Sequence, residues 1–498
     1  MKLASVSSES TVDTRPSVPW RLAHFIGGRF LAGEGKDLAP ENPATGEILA
    51  RLPQVSEAQL DAAIAAARRA FDSGVWRDDS NRRAVLSRMA DLFEQRKEEF
   101  KRSLIFEIGT PIAIAQFLQI DGPLAMLRDV ANRADVDRTE RLVPDTRSPA
   151  SESIIRYEPI GVVAGIGAYN NPLLYLVSKC CAAMAAGCTA VYLPSSLTPL
   201  TALLFAEIVE EAGVPAGVLN IIAGGPDIAR ALTLHPGIDK VSMTGSVDVG
   251  RQVMRQAADG LKGVVLELGG KSPGIVLPGA DLERISLPLH GRYLRNAGQG
   301  CQSPTRLLVH TSQYDDFVDA ARTTFTRLPV GDPWHPDTLI GPLIRESHRA
   351  RVEAFVDRAR AAGGFVLAGG GRPDIGPDIA KGWFMNGTLL GGLSNHSELA
   401  CSELFGPVAI AIPYETLDEA VAMANDTQFG LAAHIFGRQD EAMAIAKRLR
   451  VGTVAINGGG NFRVDSVLAG WKQSGLGREW GEHGIREFLE VQHIQWTT

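Results

Sequence analysis

Short apolar segments alternate with helical segments over residues 161–270, and this alternation restricts the possible folds more than any other feature of the sequence. Apolar stretches typical of buried strands lie at residues 161–167, 189–193, 218–223, 240–243 and 264–268. Segments with helical periodicity separate these stretches, and parallel strands need such crossovers. The pattern predicts an α/β fold whose centre is a doubly wound parallel sheet.

A second α/β pattern follows over residues 271–476. Its strands are predicted at residues 274–277, 305–309, 366–368, 408–414, 433–436 and 453–456. Helices are predicted earlier in the chain, at residues 56–73 and 81–98. An exposed alternating segment at residues 148–157 and a strand at residues 490–498 predict a separate paired arm. The sequence therefore predicts two α/β bodies and a β-strand arm.

Ligands of a doubly wound sheet bind at the carboxyl ends of its strands. Tyr169, Ser196, Gly225 and Gly245 follow four of the predicted strands. Ser246 then begins a predicted helix, whose first amides and hydroxyl are suited to a pyrophosphate. On its own, this glycine-containing turn indicates a phosphate site only weakly, because it is not the G-x-G-x-x-G motif.

Cys301 is the first candidate for a catalytic residue. It follows the sequence NAGQG, in which two glycines leave space around the sulfur for a substrate carbonyl. A thiolate is a strong nucleophile at neutral pH. The other cysteines are predicted to be structural; they are Cys180, Cys181, Cys188 and Cys401.

Glu267 ends an apolar predicted strand and precedes two glycines and Lys271. A partly desolvated carboxylate at that position should have a raised pKa and would suit a general base. The alternative interpretation, an acid that pairs with Lys271 or a backbone amide, carries equal weight at this point.

Charge and composition exclude several classes of function. The formal net charge is −7, which argues against a nucleic-acid partner. The first 21 residues lack the apolar core of a signal peptide, and no apolar run is long enough to predict a membrane helix. The five cysteines form no C-x-x-C pair and the histidines no H-E-x-x-H motif, so no metal site is predicted. Sparse, unpaired cysteines predict a cytoplasmic protein.

Taken together, the motifs resemble the aldehyde dehydrogenase superfamily, in its NAD(P)-dependent, non-acylating type. The resemblance extends over residues 25–491. Its most specific parts are ELGGKSP at residues 267–273 and GQGC at residues 298–301. Supporting motifs are YNNP at 169–172, TPL at 198–200, TGS at 244–246, ELFGPV at 403–408 and KQSGLGRE at 472–479.

The resemblance implies the oxidation of an aldehyde to a carboxylic acid. Cys301 would attack the aldehyde, and the Asn170 amide and the Cys301 N–H would hold the oxyanion. Hydride would pass to the nicotinamide and leave a thioester, which water activated by Glu267 would hydrolyse. Lys179 matches a family lysine near the proton path of that glutamate. The implied cofactor-binding residues are Tyr169, Ser196, Gly225, Gly245, Ser246, Leu268, Glu403 and Phe405.

The family architecture implies three parts and an oligomer. A dinucleotide-binding domain would comprise residues 22–140 and 160–269, and a catalytic domain residues 270–476. An oligomerisation arm would comprise residues 141–159 and 485–498. The arm implies a homodimer or a homotetramer.

The sequence departs from the family pattern at both ligands. Leu193 and Ser196 replace the usual Lys and Glu near the adenosine ribose, so NAD is predicted and NADP remains possible. The predicted substrate-pocket residues are Asn171, Tyr175, Gln302, Phe462 and Leu468. Either this part of the chain has drifted, or the pocket is less aromatic and more polar than is usual in the family.

Three other functions compete with this one. A dehydrogenase that transfers the acyl group to coenzyme A commonly lacks the general base, whereas Glu267 is present. A catalytically weak relative retained for binding or assembly would fit only the change at Leu193. A thiol esterase would need neither Glu403 nor Ser246.

Overall fold

The computed structural model describes residues 18–147, 149–459 and 463–497. Its first sheet has eight strands, and the five central ones are parallel. In spatial order the strands are Arg29–Leu31, His24–Ile26, Leu219–Ile221, Thr189–Leu193, Val162–Ile166, Lys240–Thr244, Gly263–Glu267 and Gly475–Leu476. The chain order reverses on either side of the Val162–Ile166 strand, which confirms the predicted doubly wound sheet.

Helices cover both faces of this sheet. They span Glu57–Asp72, Asp79–Gln95, Lys97–Ile108, Gly122–Asn132, Leu200–Glu211, Pro226–Leu234 and Val247–Ala258. Alternate residues of the central strand enter opposite cores, since Val163 belongs to one apolar cluster and both Val162 and Ala164 to the other. This double burial explains why the strands read as continuous apolar runs.

Local capping fixes the first helix. The Ser56 hydroxyl accepts a hydrogen bond from the Gln59 N–H, and the Gln59 side chain accepts one from the Ser56 N–H. The helix predicted at residues 81–98 is in fact two helices, which divide at Arg96.

The second sheet has seven strands, and six of them are parallel. In spatial order they are Phe365–Gly369, Thr388–Gly391, Val408–Tyr414, Arg306–His310, Pro273–Val276, Ala432–Phe436 and Thr453–Ile456. The longer helices around it are Leu282–Leu294, Tyr314–Phe325, Glu346–Ala361, Leu417–Asn425 and Gln439–Ala446. The segment 268–272 runs directly from the first sheet to the second, so the ELGGKSP motif joins the two bodies.

A third, smaller sheet forms the arm. The Ser151–Pro159 strand pairs antiparallel with Leu489–Thr497 along nine residues, as predicted, and with Glu140–Arg141 on its other side. The Leu489–Thr497 strand is therefore an edge within the described part of the chain. Every helix in the described ranges is too short or too polar to cross a membrane.

Candidate active site

A strained loop presents Cys301. Asn296 and Ala297 have φ values of 53° and 51°, and Gly298 follows with φ 74°. Left-handed backbone costs about 1–2 kcal/mol at an alanine, so the surrounding contacts must hold this loop. A Cβ at Gly298 would lie 2.1 Å from the Gly406 carbonyl group, so only glycine fits. The chain thus turns sharply just before the cysteine.

The Gln299 side chain ties the same loop to its surroundings. It is completely buried, donates to the Asn296 carbonyl at 3.0 Å and accepts from the Ile344 N–H at 2.9 Å. These bonds satisfy a buried amide and fix the backbone next to the nucleophile. Gly270 of the ELGGKSP motif packs against the backbone of Cys301. A Cβ at Gly270 would lie 2.4 Å from the Cys301 carbonyl oxygen.

The Cys301 thiol lies where two cavities meet. Burial raises its pKa to about 12, and the nearby carboxyl groups of Glu403 and Glu267 add to the effect. The backbone N–H groups of Cys301 and Gln302 point at the sulfur and act in the opposite direction. The resting group is therefore a thiol, and attack on a carbonyl requires that its proton be removed.

Asn170 lies beside this thiol and also lines both cavities. Its amide nitrogen donates to the Gln299 carbonyl at 3.0 Å. Its amide oxygen accepts from the Tyr175 hydroxyl at 2.9 Å, which fixes the orientation of the amide. An amide nitrogen carries two N–H groups, so one remains for a ligand oxygen.

Glu267 lies at the end of its strand and is only 4% exposed. Burial and the facing carboxylate of Glu479 raise its pKa well above the usual range. Its Oε1 atom is buried and has no hydrogen-bond partner among the described residues. It forms no ion pair with Lys271, although both residues lie in a described range, and it lines neither cavity. Glu267 is thus a protonatable carboxyl held behind the cysteine.

Lys179 lies away from both cavities. Its Nζ is 2.5 Å from Glu479 Oε1, and both side chains are buried. The Ser242 hydroxyl donates to the same oxygen at 3.4 Å. The ammonium charge of Lys179 lowers the pKa of Glu267, whereas its ion-pair partner Glu479 raises that pKa.

The larger cavity has a volume of about 420 Å³ and lies at the carboxyl end of the first sheet. Six of the predicted cofactor residues line it: Tyr169, Gly245, Ser246, Leu268, Glu403 and Phe405. The Glu403 carboxylate accepts the Gly270 N–H at 3.1 Å, and burial raises its pKa to about 7. The rings of Tyr169 and Phe405 pack edge to face at 5.8 Å.

The donors of this cavity fit a dinucleotide. The Thr244 hydroxyl is buried without a partner among the described residues and lines the cavity. The twelve-residue helix Val247–Ala258 begins beside it, and its first amides suit a pyrophosphate. Glu403 offers an acceptor for ribose hydroxyls at the end near Cys301.

Two predicted cofactor residues do not line this cavity. Ser195 and Leu197 line it, whereas Ser196 between them does not. The N–H of Gly225 is bonded instead to the Gln54 side chain at 2.9 Å. The structure therefore does not bring Ser196 and Gly225 to the cavity with the others.

Three lining residues of the cofactor cavity had no sequence signal. They are Arg345, His348 and Arg351, at the start of the helix Glu346–Ala361. His348 donates to the Phe405 carbonyl at 2.7 Å, and burial lowers its pKa to about 4. It is therefore neutral near pH 7.

The smaller cavity has a volume of about 130 Å³ and opens on the other side of Cys301. Four predicted pocket residues line it: Asn171, Tyr175, Gln302 and Leu468. Phe462 lies outside the described residues. Apolar side chains, among them Phe117 and Trp480, complete much of the wall.

Two arginines that line this cavity, Arg292 and Arg295, were not predicted from the sequence. They lie three positions apart just before the GQGC motif. The sequence has no acidic residue between positions 284 and 314, which is the signal that would have marked them. No cluster of metal-ligating side chains is present in the described residues.

Comparisons with known proteins all indicate the same family. A sequence profile of the Aldehyde dehydrogenase family matches residues 30–494. A geranial dehydrogenase of Castellaniella defragrans is 37% identical, with 94% of this chain and 98% of that protein covered. An aldehyde dehydrogenase of Mycobacterium tuberculosis, solved with NAD+, is 39% identical at a TM-score of 0.90, covering 95% of this chain and 97% of that one. A cysteine-to-alanine variant of a Pseudomonas syringae aldehyde dehydrogenase, solved with NAD+ and octanal, is 37% identical at a TM-score of 0.89, covering 95% and 96%.

Proposed function

The chain belongs to the aldehyde dehydrogenase family, and from this premise we propose which residues carry out its NAD-dependent oxidation of an aldehyde to a carboxylic acid. Bound in the larger cavity, NAD supplies the acceptor for the hydride that leaves the carbonyl carbon. Thr244 and the start of the helix Val247–Ala258 would hold its pyrophosphate, and Glu403 its nicotinamide ribose. The remaining chemistry falls to the residues of this chain.

Cys301 is the nucleophile. Its thiol proton is first lost to water, the thiolate sulfur then bonds to the carbonyl carbon, and the electron pair of the C=O π bond moves to the oxygen. The free N–H of the Asn170 amide and the backbone N–H of Cys301 stabilise that oxyanion. Tyr175 contributes by holding the amide so that its nitrogen, and not its oxygen, faces the ligand.

Glu267 is the general base for hydrolysis of the thioester that remains on Cys301 once the carbonyl re-forms and the hydride leaves the carbon. Its raised pKa makes it able to take a proton from water near neutral pH. The Lys179–Glu479 pair sets the charge around this carboxyl, so we assign Lys179 a positioning role. Water then adds to the thioester carbon, the C–S bond breaks, and the acid leaves. The presence of this base and the family relatives do not favour transfer to coenzyme A.

One observation carries the proposal: Cys301 and Asn170 lie on the wall that both cavities share. The test is to mix the purified protein with short, long and aromatic aldehydes and NAD, and to follow the absorbance of reduced nicotinamide. We expect turnover that Cys301→Ala abolishes. The matched control is Cys401→Ala, an exposed thiol outside both cavities, which should retain full activity. Equal activity in Cys301→Ala would refute the proposal.

We propose that NAD is preferred over NADP. Leu193 and Ser196 stand where the family carries Lys and Glu, and Leu193 is buried, so no cation at these positions compensates a 2′-phosphate. Parallel assays with both cofactors measure this preference as a ratio of kcat/KM. A ratio in favour of NADP would contradict it.

Residues 22–140 with 160–269 form the proposed dinucleotide-binding domain, residues 270–476 the catalytic domain, and residues 141–159 with 485–498 the oligomerisation arm. The exposed Leu489–Thr497 edge supports assembly into a homodimer or homotetramer, because its Val491 is 63% and its Trp496 38% exposed. Light scattering gives the mass in solution, and charged substitutions at Val491 and Trp496 should lower it. A monomeric wild type would contradict the assembly.

The five cysteines are all free. Free thiols persist in reducing compartments. They support the cytoplasm as the location, which fractionation of the source cells would test.

A further inference from the structure

Two guanidinium groups in the smaller cavity have no partner in the part of the chain that the structure describes. Arg292 lies in the last turn of the helix Leu282–Leu294, and Arg295 begins the turn that leads to Cys301. Both are partly exposed to the cavity. Neither forms an ion pair or a hydrogen bond with any residue in the described ranges, and the Nε atom of Arg292 is buried without a partner.

Arg306 shows how a fully buried arginine is satisfied within this protein. Arg306 donates to four oxygens, those of Lys271, Asn395, Met423 and Ala424, at 2.9–3.0 Å. A guanidinium withdrawn from water without such partners is costly. Arg292 and Arg295 therefore have the character of groups whose partner is a ligand and not the protein.

The electrostatics of the cavity favour an anion. Burial and the charge of Arg292 lower the pKa of Arg295 to about 10, as expected for two cations that face each other. No Asp or Glu lines this cavity among the described residues, and its other polar side chains include the neutral Asn171, Gln302 and Ser303. His434, packed behind Gln302, is neutral because its pKa lies near 3.

We propose that the aldehyde substrate carries an anionic group, a carboxylate or a phosphate, which Arg292 and Arg295 bind while the carbonyl reaches Cys301. Guanidinium groups match the geometry of both anions through paired hydrogen bonds. A cavity of about 130 Å³ that also contains the nucleophile suits a short chain between carbonyl and anion. This inference rests on the proposed function and names the substrate class of the same site.

The first test compares aldehydes matched in length. The probes are ω-oxo acids of about four to six carbons, their neutral methyl esters, and a phosphate-bearing aldehyde, all with saturating NAD. The wild type should show a kcat/KM at least about tenfold higher for one anionic probe than for the ester, because charge-assisted hydrogen bonds are the stronger ones. The better of the two anions identifies which is recognised.

Arg292→Gln and Arg295→Gln should each lower kcat/KM for the anionic probe by about tenfold, mainly through KM, since one charge-assisted pair is lost. Turnover of the neutral ester should change little. Arg292→Lys should recover part of the loss. The matched control is Arg284→Gln on the exposed first turn of the same helix, which should not alter the preference.

A second test needs no cofactor. Alkylation of Cys301 is followed by mass spectrometry with iodoacetate, which is anionic, and with iodoacetamide, which is neutral. The wild type should favour iodoacetate, and the ratio of the two rates should fall about tenfold in the arginine variants as the local charge changes. If the arginines serve only to stabilise the thiolate, both reagents will slow equally and the inference is overturned.

The failures are distinguishable. If folded wild-type protein oxidises no aldehyde at all, the proposed function fails. If it oxidises the neutral esters as well as the anionic probes, or if the preference survives in both arginine variants, only this inference fails.

Discussion

The two cavities that meet at Cys301 differ in where their residues come from. The larger one is lined by residues of recurrent sequence motifs, such as Ser246, Glu403 and Phe405. The smaller one is lined by Asn171 and Leu468, which depart from the family pattern, and by the two arginines. Leu193 and Ser196 also depart from that pattern, but neither lines the larger cavity, so the departures that line a cavity lie in the smaller one, the proposed aldehyde site.

The proposed catalytic residues at and behind Cys301 should act on every aldehyde alike, whatever lines the smaller cavity. Glu267→Gln should lower kcat by about 100-fold or more for every aldehyde, because a general base contributes about 10²–10⁴. Hydride transfer precedes hydrolysis, so a rapid burst of reduced nicotinamide should remain. Rapid-mixing absorbance measures both quantities.

The matched control for that substitution is Glu107→Gln. Glu107 is also a buried carboxyl whose pKa is raised to about 7, but it accepts bonds from the Leu200 and Thr201 N–H groups, away from both cavities. It should leave kcat nearly unchanged. An equal loss in both variants would show that Glu267 acts through stability alone.

Tyr175→Phe tests the wall that both cavities share, and its expected effect is smaller. Without the hydroxyl bond to the Asn170 amide oxygen, the amide loses its fixed orientation, and kcat should fall about tenfold while KM for the aldehyde stays similar. Tyr192→Phe is the control, since that buried hydroxyl bonds to the Pro172 carbonyl at 3.1 Å. A rise in KM without a loss of kcat would assign Tyr175 to substrate binding instead.

The affinity of the larger cavity for NAD should depend on pH. Glu403 has a pKa of about 7, so it is a neutral acid below that pH and a carboxylate above it. Only the carboxylate form is a full acceptor for ribose hydroxyls, so NAD affinity should rise about fivefold as pH increases from 6 to 8.5. His348 has a pKa of about 4 and therefore adds no slope in this window.

Calorimetric titration of NAD at several pH values measures this slope. Glu403→Gln should bind NAD with the same affinity across the range. A slope that persists in that variant would show that another group is responsible.

Local patterns predicted most of the fold, and long-range pairings account for what was missed. The parallel strands and the arm pairing follow from apolar periodicity and alternation. The Thr388–Gly391 strand was missed because four residues ending in glycine carry almost no periodic signal. Gly475–Leu476 follows the second body in sequence yet pairs with Gly263–Glu267 in the first sheet, which no local pattern encodes.

The residues of the candidate site also divide into those that local motifs predict and those that long-range contacts place. Cys301, Asn170 and Glu267 could be proposed from motifs, because their chemistry requires those residue types. Gly225 could not be placed, since its N–H is bonded to Gln54, a residue 171 positions earlier in the chain. The arginine pair was missed because the sequence signal, a stretch without acidic residues between positions 284 and 314, does not show whether the arginines have partners elsewhere in space.

Asn171→Phe tests the smaller cavity with the smallest expected effect. The substitution exchanges an amide for an aromatic ring at the wall, so kcat/KM for apolar aldehydes should rise about threefold to tenfold relative to polar ones, in line with the burial of one or two methylene groups. Asn171→Ala removes the amide without adding apolar surface and should shift the preference less. The measurement is the relative kcat/KM over a series of aldehydes of increasing chain length. If the series is unchanged in Asn171→Phe, the residue does not contact the substrate, and selection in this cavity rests on the arginines, which are the charged side chains that line it among the described residues.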